Sequence, residues 1–198
     1  MNTFLTIKSF SEGLFKDKGS KFFAFAMPVK TAEEALEEVK KKRKEFFDAR
    51  HVCYAYMLGA ERLDFRANDD GEPSGTAGKP ILGQINSNDL TDILIIVVRY
   101  FGGTLLGTSG LISAYKNAAA NAIENAEIVE IDIEKTLSIA CNYDNLQFVM
   151  KIIKDYELKV LVQNLSLTCE FTVSCKNKFY DDLLEKLRGN FLVKFEEL

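Results

Sequence analysis

The sequence lacks a long apolar run. Apolar runs such as Ile93–Val98 are far shorter than the about 20 residues that a helix needs to cross a bilayer. The N-terminus, Met1–Phe4, has neither the basic start nor the apolar stretch of a signal peptide. These two absences predict a cytoplasmic protein without membrane contact.

Paired cysteines and an excess of positive charge are missing as well. The four cysteines form no Cys-x-x-Cys pair and are spread over predicted strands, which indicates reduced, packed thiols rather than disulfides or a zinc site. The formal net charge is −4. General adhesion to nucleic acid requires several Lys or Arg on one face, so this charge does not indicate it, although a local basic patch stays open.

The familiar catalytic signatures are also absent. There is no Gly-x-Ser-x-Gly elbow, no Walker loop, no Gly-x-Gly-x-x-Gly fingerprint and no EF-hand spacing. His51 is the only histidine, so imidazole chemistry near neutral pH would have to use it. The alternative is that His51 is a hydrogen-bonded packing residue on a strand.

What is present predicts an α+β protein of two domains, 1–131 and 132–198. In the first domain, Thr31 and Glu34 form a capping box that starts a helix, and Asp92–Tyr100 is apolar on both faces, as expected of a central buried strand. The basic run Lys40–Lys44 lies on that first helix, where a solvated face is favoured over a nucleic-acid contact.

After Val129 glycine nearly vanishes and a regular order of elements appears. The pattern is βαββαβ, typical of a ferredoxin-like domain. The predicted elements are, in order, strand 135–142, helix 145–156, strands 158–163 and 167–176, helix 178–188 and strand 190–196. Nothing in this second domain suggests catalysis.

Eight of the twelve glycines fall between Gly71 and Gly110. Such clustering indicates backbone that takes positive φ or approaches a ligand, and tight turns alone are the alternative. A strand, a glycine-rich loop and a helix follow one another from Arg99 to Leu111, an order that favours an anion site at the helix N-terminus. The candidate anion-binding residues are Thr76, Lys79, Arg99, Gly102, Gly103, Gly107, Ser109 and Gly110. An ion pair with Asp69 or Asp70 is the alternative role for Arg99.

Three carboxylates, Asp69, Asp70 and Glu72, stand within four residues of this glycine-rich segment. Carboxylate oxygens are ligands that magnesium and calcium prefer, so a divalent metal ion is a candidate cofactor. The same acids could instead cap turns and helix starts, which is the commoner use of Asp in such loops.

Two ordered blocks closely resemble the signature of the IMPACT/YigZ family: Asn68–Pro80, and Val98-Arg99-Tyr100-Phe101-Gly102-Gly103 continuing to Gly110-Leu111. The resemblance implies an N-terminal domain of the ribosomal protein S5 domain 2-like fold, a sheet with helices on one face, followed by a ferredoxin-like C-terminal domain. It also implies translation regulation, which eukaryotic members perform by binding and not by catalysis. This order of domains resembles the last two domains of elongation factor G, an analogy that does not determine function.

Two functions remain in view at this point. The favoured one is a binding protein that docks RNA, the ribosome or a translation-related protein through the Asp69–Gly110 surface. Tyr100 or Phe101 would stack on bases, and the phosphate contacts would come from Lys21, Lys79, Arg99 and Lys116. The alternative is a metal-assisted enzyme acting on a phosphorylated small molecule, with His51 and Asp70 as catalytic residues.

Overall fold

The computed structural model describes residues 1–198, which form two compact units. One unit is Phe4–Ile131, and the other is Asp132–Leu198 together with Met1–Thr3. Both combine helices with antiparallel sheets, so the α+β class is confirmed. None of the helices has both the length and the apolar composition that crossing a membrane requires.

Seven strands and three helices make up the first 132 residues. They are β1 (Thr3–Ile7), β2 (Ser11–Asp17), β3 (Ser20–Pro28), α1 (Ala32–Glu45), β4 (His51–Leu58), β5 (Asp64–Asn68), α2 (Gly78–Ser87), β6 (Ile93–Tyr100), α3 (Gly107–Glu124) and β7 (Ile128–Asp132). An antiparallel five-stranded sheet has the order β2-β3-β6-β4-β5, and β1 pairs with β7 separately.

Strand β6 lies at the centre of the five-stranded sheet, as its apolar sequence predicts. Alternate residues of β3, β4 and β6 face two different cores. Helices α2 and α3 cover one core, whereas Ala35 and Val39 of α1 pack into the other. The expectation of helices on one face is therefore wrong, because the fully apolar β6 needs cover on both sides.

Helix α1 begins at its predicted cap. The Thr31 hydroxyl accepts the Glu34 N–H at 3.2 Å, and the Glu34 carboxylate accepts the Lys30 N–H at 2.7 Å. In the basic run, Lys41 pairs with Glu38 and Lys42 with Glu45, each three residues apart on the helix surface. Most of this run is thus a solvated, paired face.

The second unit has the βαββαβ order predicted from its sequence. Its elements are β8 (Glu134–Cys141), α4 (Leu146–Asp155), β9 (Lys159–Leu165), β10 (Cys169–Lys176), α5 (Asn177–Arg188) and β11 (Lys194–Glu197). The strands form one antiparallel sheet in the order β11-β8-β10-β9. Apolar residues of β8 and β10 pack against α4 and α5.

Candidate functional site

A buried ion pair lies where the adjacent strands β4 and β6 bring His51 opposite Arg99. Arg99 Nη1 donates to Glu72 Oε1 at 2.6 Å, and the two side chains are only 8% and 3% exposed. The ion pair proposed as the alternative role of Arg99 is therefore present, but its acid is Glu72 and not Asp69 or Asp70. Asp70 has φ +44° and Gly71 has φ +84°, so the chain turns between them and brings Glu72 inward.

The Glu72 carboxylate has a second donor. Tyr115, on the buried stripe of α3, donates its hydroxyl to Glu72 Oε1 at 2.8 Å, and Cys53 Sγ lies 3.4 Å from the same hydroxyl. Burial raises the pKa values of Tyr115 and Cys53 far above their usual range, so both groups keep their protons. This network contains no activated thiolate.

Arg99 is only partly satisfied by this pair. Its guanidinium lies 5.6 and 5.7 Å from the ring centres of Phe22 and Phe101, distances typical of cation–π contacts. Its Nε is buried and has no hydrogen-bond partner. A buried donor without an acceptor is costly, so the Arg99 guanidinium keeps hydrogen-bonding capacity that the pair with Glu72 does not use.

His51 is held in a defined orientation. Its Nδ1 lies 2.8 Å from the Asp70 carbonyl oxygen, which can only accept, so in the neutral ring Nδ1 carries the proton and Nε2 offers a lone pair. Nε2 is 4.0 Å from Glu72 Oε1. Gly71 lies beside the ring, where an added Cβ would be 3.6 Å from Nδ1.

The N-terminus of α3 faces the same region. Leu106 occupies the cap position without a side-chain hydrogen bond, and the first turn contains no acidic residue. Gly107 has φ +72°, a conformation that glycine adopts easily. The first amides of α3 therefore stay available, and with the helix dipole they favour an anion.

These groups line one open cleft of about 440 Å³. Apolar residues dominate its wall, with basic and acidic groups between them. The lining residues are Arg50, His51, Gly71, Glu72, Pro73, Arg99, Phe101, Leu105, Leu106, Gly107, Thr108 and Leu111. Arg50 and Arg99 against Glu72 leave one net positive charge while His51 is neutral.

The predicted site residues that line the cleft are His51, Glu72, Arg99, Phe101 and Gly107, and the others have different surroundings. Thr76 is buried and donates its hydroxyl to the Pro73 carbonyl at 2.7 Å. Lys79 is exposed, and its side chain runs past Gly75. Ser109, Gly110 and Gly103 belong to the α3 start or its preceding loop without lining the cleft.

Gly102 has a packing explanation. A Cβ built there would lie 1.9 Å from the backbone carbon of Gly19, and the Gly102 N–H donates to Ser20 Oγ at 3.1 Å. The loop after β6 thus rests directly on the turn between β2 and β3. The absence of a side chain at Gly102 serves this close approach.

Asp69 organises the loop before α2. Its carboxylate accepts backbone N–H groups of Gly75, Ala77 and Gly78 at 2.8 to 3.0 Å. Burial alone would raise the pKa of Asp69, but these three hydrogen bonds together lower it below its usual value. Asp69 is therefore a charged cap for the loop and the start of α2.

Asp70 and Glu72 point elsewhere, so the three acids do not converge. The Asp70 carboxylate accepts the Val52 N–H at 2.7 Å and pairs with Arg43, whereas Glu72 faces Arg99. No group of three or more His, Cys, Asp or Glu has the arrangement of a metal site. The alternative in which these acids cap turns and helix starts describes Asp69, whereas Asp70 holds the loop against the start of β4.

Several residues in or beside the cleft were not identified from the sequence. Tyr115 belongs to the buried stripe of α3 and does not line the cleft itself, but a buried tyrosine hydroxyl needs a partner and could have pointed to Glu72. Arg50, Leu105, Leu106 and Leu111 also line the cleft. No pattern in the sequence identifies these four residues as parts of a binding site. They lie at the cleft because the chain before β4 and the chain after β6 meet at the same edge of the sheet.

The chain is similar in sequence to known proteins over nearly its whole length. Residues 18–123 match the Impact N-terminal domain. An IMPACT family member of Haemophilus influenzae is 34% identical over 188 residues, covering 91% of each chain. The IMPACT family member YvyE of Bacillus subtilis is 30% identical and covers 100% of this chain and 93% of the relative.

One solved structure is similar to this chain over its whole length. A crystal structure of a hypothetical protein has a TM-score of 0.78 at 27% identity and covers 100% of this chain and 98% of that one. The matched residues, 18–123, include the cleft from Arg50 to Leu111, so the site described above lies within the domain that the family shares. On these grounds the chain belongs to the IMPACT family.

Proposed function

We propose that this chain is a cytoplasmic, translation-associated binding protein that docks RNA, and that its cleft receives a backbone phosphate. The observation that carries the proposal is the guanidinium of Arg99, which has a buried Nε without a partner and lines the cleft that also holds the uncapped start of α3. A cationic donor and a helix N-terminus beside one cavity are the combination that binds phosphate. The translational role comes from the family resemblance.

We also propose the finer fold assignment as part of this function. The N-terminal unit would be an S5 domain 2-like domain with one further helix, α1, on the second face of its sheet. The C-terminal unit would be a ferredoxin-like domain, with the boundary between residues 131 and 132. The βαββαβ order and the strand order β11-β8-β10-β9 support the second assignment. Under this proposal, RNA is bound by the N-terminal unit.

The alternative of a metal-assisted enzyme has one observation in its favour, since His51 lines the cleft with a free Nε2 lone pair. The remaining parts fit less well. Asp69 and Asp70 have their carboxylates engaged with backbone N–H groups, and Glu72 is held by Arg99. Binding therefore accounts for more of the geometry than metal-assisted catalysis does.

The test uses Thr108, which is exposed in the first turn of α3. In Thr108→Asp a carboxylate at the helix N-terminus competes with phosphate, while its favourable interaction with the helix dipole preserves folding. Thr108→Asn is the matched neutral control. We expect Thr108→Asp to weaken RNA binding about tenfold or more relative to Thr108→Asn, because charge-assisted hydrogen bonds to phosphate are lost.

The measurement is a titration of a labelled RNA followed by fluorescence anisotropy at two salt concentrations. Arg99 itself is a poor target, because its removal leaves Glu72 buried without a partner. Equal RNA affinities of Thr108→Asp and Thr108→Asn would refute the proposal. An unchanged thermal midpoint in both variants excludes unfolding as the cause of a difference.

A further inference from the structure

A second cavity, of about 460 Å³, lies near the cleft and has no role in the proposal so far. Four of its seven lining residues are aromatic. The lining residues are Gly19, Lys21, Phe23, Phe46, Asp48, Tyr100 and Phe101. We call it the aromatic cavity.

The aromatic cavity and the cleft open at the same end of the five-stranded sheet. Arg99 and Tyr100 are consecutive in β6, so their side chains point to opposite faces of the sheet. Arg99 lines the cleft and Tyr100 the aromatic cavity. Phe101, the next residue, is 45% exposed and lines both, which makes it the bridge between them.

The polar groups of the aromatic cavity suit the edge of a base. Tyr100 donates its hydroxyl to Asp48 Oδ1 at 2.7 Å, and this bond raises the pKa of Tyr100 to about 12. The second oxygen of Asp48 stays available as an acceptor. Lys21 adds a cation opposite Tyr100, its neighbour across β3 and β6.

Charge around the two cavities favours an anionic chain. Lys21, Arg50 and Arg99 supply three positive charges. The two acids present, Asp48 and Glu72, both accept hydrogen bonds within the protein, which offsets their repulsion of an anion. A ligand with phosphates and flat rings matches this pattern of cations and aromatic side chains.

We propose that the two cavities together bind single-stranded RNA, with a phosphate in the cleft and the neighbouring base stacked on Phe101 in the aromatic cavity. This inference rests on the proposed function and names its substrate class. A single strand can bend around the end of β6 and present an unstacked base. A duplex keeps its bases stacked inside and cannot fill the aromatic cavity.

Phe101→Ala tests the stacking contact, with Phe47→Ala as the matched control because Phe47 is 85% exposed and lines neither cavity. We expect Phe101→Ala to weaken binding of a single-stranded RNA about 5- to 150-fold, which corresponds to about 1–3 kcal/mol per stacked base. Binding of the same RNA as a duplex should be weaker in the unmodified protein and unaffected by this change. Fluorescence anisotropy measures the affinity of each of these protein–RNA pairs.

Phe101→Trp adds a readout that a purely structural role would not move. The chain contains no tryptophan, so this variant has a single indole. We expect this variant to keep its affinity for RNA. Its emission should be quenched by single-stranded RNA but not by inorganic phosphate, because only a base can stack on the ring. Inorganic phosphate has no base, so under this proposal it occupies the cleft and leaves the aromatic cavity empty.

The outcomes separate the two proposals. Equal single-strand affinities of Phe101→Ala and Phe47→Ala, or an indole that RNA leaves unquenched, overturn the single-strand inference. If Thr108→Asp still weakens RNA binding relative to Thr108→Asn in that case, the phosphate site stands alone and only the base subsite is lost. Equal loss of single-strand and duplex binding in Phe101→Ala would also overturn the inference, since it would reflect damage to Arg99.

Discussion

Replacing Glu72 with alanine is expected to lower the free energy of unfolding of the N-terminal unit by about 3–5 kcal/mol. The reason is the buried guanidinium of Arg99, whose only hydrogen-bond acceptor is Glu72. Removing the carboxylate leaves this charge, and the Tyr115 hydroxyl, without a partner in a site that water does not reach freely. Hydrogen exchange of the β4 and β6 amides reports the stability of this unit separately.

Two further variants make the Glu72 result specific. Glu61→Ala removes an exposed carboxylate and should change stability by no more than about 0.5 kcal/mol. The double variant Glu72→Met with Arg99→Met removes both charges and should recover most of the loss, because an apolar pair of similar size leaves no buried charge. A cost for Glu72→Ala no larger than that for Glu61→Ala would contradict the buried pair.

Gly102→Ala is the second change for which we expect a large effect, a loss of about 3 kcal/mol or more in the free energy of unfolding. Its Cβ would lie 1.9 Å from the Gly19 carbon and 2.1 Å from the Ser20 nitrogen. Both are backbone atoms, so no side-chain rotation relieves the clash. Either the loop after β6 or the turn between β2 and β3 must move.

Gly83→Ala is the matched control for this substitution. Gly83 lies inside α2, where an added Cβ meets no atom within 4 Å. Alanine should therefore stabilise the helix by about 0.5–1 kcal/mol, since glycine loses more backbone entropy on folding. If Gly102→Ala is tolerated as well as Gly83→Ala, the close approach to Gly19 does not explain this glycine.

The elements that the sequence predicted well are those whose signals are local. The cap at Thr31, the apolar strand β6 and the βαββαβ order all follow from neighbouring residues or from periodicity. Strand β2 has no such local signal, because Gly13 interrupts its pattern. That glycine is explained only by α3, whose Ala122 nitrogen would be 2.4 Å from a Cβ on Gly13.

The candidate site was predictable to a smaller extent. Its two halves, the Asp69–Pro80 loop and the Arg99–Gly110 turn, are visible as clustered glycines and acids. The Asp70-Gly71 pair marks a turn in the sequence, but which of three nearby carboxylates then faces Arg99 depends on the path of the chain after that turn. The aromatic cavity likewise combines the β2–β3 turn, the end of α1 and the end of β6.

The central claim is that the Arg99 cleft binds phosphate, and titration of the isotope-labelled protein with inorganic phosphate tests it most directly. Nuclear magnetic resonance follows the Arg99 Nε–H and the amides of Gly107 and Thr108. We predict that these signals shift together and saturate, and that they do not move in Thr108→Asp. Signals that stay in place, or that shift only at Gly102 and Gly103, would contradict the assignment of phosphate to this cleft.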